Sequence, residues 1–119
     1  MHSLLPPSVL VLAPMLVVFY VLLVIDLGQT VTIFRTGRGE KNPVLRYLMT
    51  RGSREEGERN VYLYFAACAL LVTAAAFVLW HLLPQWRWAT VLALAALTGR
   101  QGASCGWNHA LGIRLWWKP

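Results

Sequence analysis

The fold is decided by residues 61–83, VYLYFAACALLVTAAAFVLWHLL, which contain no Asp, Glu, Lys or Arg and are followed by Pro84. Proline stops a helix because it lacks the amide hydrogen and its ring clashes with the preceding turn. A bilayer core of about 30 Å requires about 20 helical residues, and this stretch supplies them. The sequence therefore predicts a membrane-spanning helix over 61–83.

A second apolar run lies near the N-terminus. Every residue of 9–25 is apolar apart from Pro14 and Tyr20, and a looser apolar pattern continues beyond it. A proline is tolerated in a spanning helix because neighbouring helices or water satisfy the carbonyl that it frees. No positively charged segment precedes this run and no small-residue cleavage site lies within it, so a permanent span over about 9–33 is predicted.

A third run begins near Trp88 and is strongly apolar only to Leu97, after which Gly-Arg-Gln-Gly at 99–102 interrupts it. We interpret 88–113 as one long spanning helix whose polar half is buried against the other two helices. The alternative is a short span followed by a helix that lies in the membrane interface.

The composition agrees with a single membrane domain over 1–119. The chain is 57% hydrophobic and only 13% charged, and its net charge is +6. The basic residues lie at the ends of the apolar runs, where they gain from an anionic leaflet, and not on an amphipathic fold suited to nucleic acid. We therefore predict an all-α, polytopic membrane protein with three transmembrane helices and a short cytoplasmic interfacial helix, which contacts the lipid bilayer and no nucleic acid.

The basic residues also predict the orientation, because cytoplasmic loops are enriched in Lys and Arg. Ten of the 11 lie in the 35–60 loop or toward the C-terminus, and only Arg87 lies on the other side: Arg35, Arg38, Lys41, Arg46, Arg51, Arg54, Arg59, Arg100, Arg114 and Lys118. The prediction is a multi-pass protein of the inner (cytoplasmic) membrane, with its N-terminus outside and its C-terminus in the cytoplasm.

Two local signals mark helix starts in the 35–60 loop. Asn42-Pro43 combines a preferred N-cap with a preferred first helical residue, so a short interfacial helix is expected there. Ser53 and Glu56 have the spacing of a capping box, which would start the second long helix early. Gly57 weakens this second prediction because glycine is a poor helix former.

Asp26 is the most informative polar residue, because a carboxylate at mid-bilayer costs at least about 2.5 kcal/mol and so needs a partner. Arg100 is the candidate partner, although its long side chain could instead reach the cytoplasmic surface. We expect eight residues to converge in one polar intramembrane cluster near the cytoplasmic side: Asp26, Gln29, Thr30, Glu40, Asn42, Arg100, Asn108 and His109.

Small residues at helical spacing predict surfaces for close helix packing, within the chain or between copies. They are Ala66, Ala69 and Thr73 in the second run and Gly102 and Gly106 in the third. No catalytic residues are assigned, because no nucleophile has an identifiable base beside it. His and Cys do not occur at metal-ligand spacing, so neither a metal nor a cofactor is expected.

The segment Asp26-Leu-Gly-Gln-Thr30, followed by Glu40-Lys-Asn42-Pro43, resembles a family of uncharacterised small integral membrane proteins of bacteria, archaea and phages. Its members share an Asp-x-x-x-Thr segment at the end of the first helix and a Glu-x-Asn-Pro element after a short loop. The resemblance covers about residues 20–50. It implies a helical membrane fold in which these motif residues form one site, and it carries no established activity.

The sequence favours a function through helix packing, as an accessory subunit or a self-associating component of a membrane complex. The expected partners are other membrane-protein subunits or copies of the same chain. A pore or small transporter, including a phage lysis-type channel, remains an alternative. A membrane-embedded enzyme that acts on a lipid is the third hypothesis.

Overall fold

The computed structural model of the protein describes residues 9–37, 40 and 42–116. It has four α-helices, α1 (Val9–Thr36), α2 (Pro43–Met49), α3 (Arg54–Leu82) and α4 (Arg87–Ala110), and a 3-10 turn (Pro84–Trp86) joins α3 to α4. The described residues form no strand. The predicted all-α class is confirmed.

Two of the helices are long and apolar enough to cross a membrane. They are α1, with 28 residues, and α3, with 29 residues. At 1.5 Å per residue each is more than 40 Å long, against a hydrocarbon core of about 30 Å. The helix α4 has 24 residues but is not among them, since the polar residues near Arg100 interrupt its apolar run. Length and composition thus support two of the three predicted spans.

The helix starts in the loop follow their capping signals. The Asn42 side-chain oxygen accepts hydrogen bonds from the backbone amides of Val44 (3.0 Å) and Leu45 (3.3 Å). The Ser53 hydroxyl accepts from the Glu56 amide, and the Glu56 carboxylate accepts from the Ser53 amide, both at 3.2 Å. Both predicted starts are confirmed, and the capping box explains why α3 begins seven residues before the predicted span.

The helix α1 lies at the centre and packs against both α3 and α4. It is antiparallel to α3, because the hydroxyls of Tyr20 and Thr73 are hydrogen-bonded near the middle, whereas Arg35 forms an ion pair with Glu58 (Nε to Oε1, 2.6 Å) near one end. It is parallel to α4, which also runs away from the 3-10 turn. We call the two ends of the molecule the turn end and the α2 end.

At the turn end α3 and α4 are held together by Arg87. Its Nε donates to the Trp80 carbonyl (3.0 Å), and its guanidinium lies over the Trp80 ring, 5.2 Å from the centroid. This contact satisfies a carbonyl in the last turn of α3 that has no partner within the helix. It also gives a structural role to the one basic residue that the charge pattern placed away from the others.

The helix α4 ends in a Schellman motif, three residues before the predicted end of the third span. Gly112 adopts a left-handed conformation (φ +79°), and its amide donates to the His109 carbonyl at 2.9 Å. The Ile113 amide donates to the Asn108 carbonyl at 3.0 Å. Glycine suits this position because it adopts positive φ without a steric penalty.

After the Schellman motif the chain turns back along α1. The Trp116 amide donates to the Gly28 carbonyl (3.0 Å), and the Trp116 indole donates to the Tyr62 hydroxyl (2.8 Å). A Cβ at Gly28 would lie 2.9 Å from the Leu115 and Trp116 side chains. The missing side chain at Gly28 therefore makes room for this segment.

The helix α2 packs closely on the first two turns of α3. The Asn60 side-chain amide donates to the Leu48 carbonyl at 2.9 Å. A Cβ at Gly57 would lie 2.3 Å from the Met49 carbonyl oxygen, so only glycine fits without a backbone shift. Gly57, which weakened the sequence-based prediction of the capping box, is thus the residue that allows α2 and α3 to approach closely.

Candidate functional site

The candidate site is a cavity of about 760 Å³ between α1, α3 and α4, on the side of α2. It exists because α3 and α4 contact each other less than either contacts α1, so a space remains between them. Six of the eight residues predicted to cluster line it: Asp26, Thr30, Glu40, Asn42, Arg100 and Asn108. These residues come from α1, the α1–α2 segment and α4, so the tertiary fold brings together groups that lie far apart in the sequence.

The other two predicted residues do not line the cavity. Gln29 is buried at the α1–α4 contact, where its Nε2 donates to the Cys105 carbonyl (3.1 Å) and its Oε1 accepts from Asn108 (3.4 Å). His109 is exposed in the last turn of α4. Gln29 therefore contacts the cavity residue Asn108 without lining the cavity itself, whereas His109 lies outside the site.

Asp26 has a different direct partner from the one expected. Its Oδ2 accepts a hydrogen bond from Gln101 Nε2 at 2.6 Å. Arg100 is exposed, and within the described part of the chain it forms no ion pair. Adjacent helical residues point about 100° apart, so Gln101 faces α1 while Arg100 points toward the edge of the cavity. Of the two possibilities for Arg100, an ion pair with Asp26 is not formed among the described residues, and Gln101 is the partner that the sequence reasoning missed.

Asn42 connects three elements at the α2 end. Besides capping α2, its side-chain amide donates to the Tyr64 hydroxyl of α3 (3.1 Å), and its backbone amide donates to the Glu40 carboxylate (3.1 Å). These bonds use both polar atoms of the Asn42 side chain. The Asn-Pro element therefore has a structural explanation, and Glu40 is held facing the cavity.

The remaining polar groups of the cavity show no catalytic arrangement. Ser104 and Cys68 line its wall, but neither has a histidine or carboxylate partner among the described residues. Cys105 is buried, and its thiol donates to the Leu22 carbonyl (3.4 Å). Over the described ranges, no three His, Cys, Asp or Glu side chains form a group that could hold a metal ion.

The predicted packing residues divide between inward and outward faces. Ala69 and Thr73 face the α1 side of α3, and a Cβ at Gly102 would be 3.7 Å from Leu22 of α1. Ala66 and Gly106 are exposed. A Cβ at Gly106 would meet no atom of the described residues within 4 Å. The first three thus serve contacts within the chain, and the other two are available to lipid or another helix.

A longer stripe of small residues runs along the face of α4 turned away from α1. Its members are separated by three or four positions and all are exposed: Ala96, Gly99, Ala103, Gly106 and Ala110. A Cβ at Gly99 also meets nothing in the described part of the structure within 4 Å. The sequence reasoning found Gly106 but grouped it with Gly102, which faces α1. We call this set the α4 small-residue stripe.

The fold and the cavity define an all-helical protein with two helices able to cross a membrane and a polar site between its helices. Comparison with models of protein families, with curated proteins and with solved structures finds no match. The family resemblance of residues 20–50 therefore rests on the quoted motif residues alone.

The contact between Asp26 and Gln101 predicts measurable coupling. Changing Asp26→Leu, Gln101→Leu and both together should give a coupling free energy of about 0.5–2 kcal/mol in a double-mutant cycle, because each single change removes one partner of the same hydrogen bond. The measurement is the free energy of unfolding of the protein in detergent micelles titrated with sodium dodecyl sulfate, followed by circular dichroism. The matched cycle with Arg100→Gln should be additive. Equal coupling in the two cycles would contradict this assignment.

Proposed function

We propose that the chain is a small integral membrane protein that crosses the inner membrane three times, with its N-terminus outside and its C-terminus in the cytoplasm. The packing of α4 along α1 supports a third span, because the Gln101–Asp26 and Asn108–Gln29 contacts place α4 beside a helix that is long enough to cross. The clustering of basic residues at the α2 end supports the orientation: Arg35, Arg46, Arg51, Arg54 and Arg59.

In this proposal the protein acts by helix packing, as an accessory subunit or a self-associating component of a membrane complex. The observation that carries it is the exposed α4 small-residue stripe. Small residues let the backbones of two spanning helices approach closely, and van der Waals packing is the main force between helices in lipid. The inward polar groups support the same function, since Asp26 and Gln29 are hydrogen-bonded within the chain and need no second copy. These contacts therefore give less support to the alternative of a pore lined by polar groups from several copies.

Enlarging the α4 small-residue stripe tests this function. Gly99→Leu with Gly106→Leu should weaken the association by about tenfold or more, because the added side chains keep the partner helix at a distance. The measurement is the mass of the protein purified from membranes in mild detergent, by size-exclusion chromatography with light scattering, together with identification of co-purifying proteins.

The matched control enlarges small exposed residues on α3. Ala67→Leu with Ala74→Leu adds similar volume on a face that the proposal leaves to lipid. It should leave the mass unchanged. A wild-type protein that is monomeric and without a co-purifying protein would overturn the proposal, as would an equal loss in the control.

A further inference from the structure

The two ends of the cavity differ in chemistry. Toward the middle of the helices its wall is apolar and comes from Phe19 and Leu23 of α1, Val72 of α3 and Leu97 of α4. Toward the α2 end it carries ionisable and amide groups next to apolar side chains that include Ile33, Leu45 and Ile113. A cavity of about 760 Å³ lies within the range of about 300–1,000 Å³ that is usual for small-molecule sites. Such a cavity suits an amphiphile with a polar head and an apolar tail.

The charged groups at the polar end have both signs. Asp26 and Glu40 supply carboxylates, and Arg100 supplies a guanidinium that keeps its charge at any physiological pH. Asp26 accepts hydrogen bonds from the side chains of Gln101 and Thr30, and Glu40 accepts one from the Asn42 backbone amide. Arg100 is exposed, and the described carboxylates all lie beyond ion-pair distance of it. A ligand can therefore contact positive and negative groups in one place without breaking an existing ion pair.

We propose that this cavity binds the headgroup of one aminophospholipid. The phosphate diester lies at Arg100, because a guanidinium donates two parallel hydrogen bonds to phosphate oxygens. The primary ammonium lies at Asp26 and Glu40 and donates to lone pairs of their carboxylate oxygens that these hydrogen bonds leave unused. The first part of an acyl chain follows the apolar wall formed by Phe19, Leu23, Val72 and Leu97.

The direction of the cavity agrees with the direction of a lipid in the leaflet. In the proposed orientation the α2 end lies at the cytoplasmic interface, where headgroups are, and the apolar wall extends toward the bilayer centre. A lipid would enter sideways between α3 and α4, since these two helices share less contact with each other than either shares with α1. This inference rests on the proposed membrane crossing but not on the proposed association through α4.

The experiment is native mass spectrometry of the detergent-purified protein, titrated with phosphatidylethanolamine, phosphatidylcholine or phosphatidylglycerol of identical acyl chains. One phosphatidylethanolamine should remain bound, with about tenfold preference over the other two, because only it combines a phosphate with a hydrogen-bonding ammonium. Soluble phosphoethanolamine should compete only weakly. Equal retention of the three lipids would overturn the proposal, and competition by phosphoethanolamine equal to that of the lipid would overturn its lipid part.

Variants separate the two halves of the headgroup. Arg100→Gln should lower the affinity for phosphatidylethanolamine by about tenfold, through the loss of the phosphate contact. Glu40→Gln should abolish the preference over phosphatidylcholine and should increase binding of the anionic phosphatidylglycerol, since a repulsive charge is removed. The matched control Arg59→Gln removes an exposed positive charge of α3 that does not line the cavity.

The control should bind as the wild type does. An equal loss of affinity in Arg59→Gln would mean that the lipid is attracted by positive charge in general, and it would overturn the proposed site. The same spectra give the oligomer mass, so a failure of lipid binding is distinguishable from a failure of the proposed association.

Discussion

Trp80→Ala is expected to lower the free energy of unfolding by about 3–5 kcal/mol, which is the largest effect that we predict for a single substitution in this protein. Trp80 is 1% exposed and lies where α3, α4 and the turn meet. Its removal leaves a void that the surrounding helices fill only partly, and it takes away the ring beneath the Arg87 guanidinium. The measurement is unfolding by sodium dodecyl sulfate in mixed micelles, followed by circular dichroism.

The matched control is Trp86→Ala, because Trp86 belongs to the same turn but is 56% exposed. It should cost less than about 1 kcal/mol, as is usual for surface positions. The loss of stability in Trp80→Phe should lie between those in Trp80→Ala and Trp86→Ala, since phenylalanine retains an aromatic ring of smaller volume. A loss in Trp86→Ala as large as that in Trp80→Ala would mean that the turn end is not organised around Trp80.

Gly57→Ala is the second large effect, with an expected loss of about 1–3 kcal/mol in the free energy of unfolding. The added Cβ would lie 2.3 Å from the Met49 carbonyl oxygen and 3.0 Å from the Phe34 ring. The nearer atom belongs to the backbone, so the contact is relieved only by moving α2 away from α3. We expect faster amide hydrogen exchange in α2 (Pro43–Met49), measured by mass spectrometry, in addition to the loss of stability.

Gly102→Ala is the control, and its expected effect has the opposite sign. Gly102 also lies within a helix but outside the α4 small-residue stripe, and a Cβ there makes only an ordinary van der Waals contact, 3.7 Å from the Leu22 side chain. Alanine is a better helix former than glycine by about 1 kcal/mol, so this change should leave stability equal or raise it by up to about that amount. If Gly57→Ala were also neutral or stabilising, the close approach of α2 to α3 would be disproved.

Local features of the structure could be predicted from the sequence because their causes are local. The Asn42-Pro43 start and the Ser53–Glu56 capping box depend on residues within one helical turn, and both are found as expected. The apolar runs predicted two of the long helices for a similar reason, since the run of hydrophobic residues is itself the signal. Asp26 and Arg100 each lie ten residues before the end of their helix and Glu40 lies in the segment that follows α1, so the prediction that they converge on one cavity depended on similar depth.

The rotation of each helix could not be predicted, and it decides which side chains meet. Arg100 and Gln101 are neighbours in the sequence and lie at almost the same depth, yet only Gln101 faces α1 and bonds to Asp26. The same holds for Gly102 and Gly106, of which one contacts Leu22 and the other is exposed. The helices of this chain are apolar on several faces, so periodicity gave little information about orientation.

The sequence by itself determined the helical class, the helix starts and the end of the molecule at which charge collects, because propensity, capping and hydrophobic length act over short distances. Only the tertiary structure decided the partner of Asp26, the need for glycine at position 57, the return of the 112–116 segment along Gly28 and the space between α3 and α4. Each of these depends on the packing of residues that are far apart in the chain, where small differences in rotation and depth change which atoms touch.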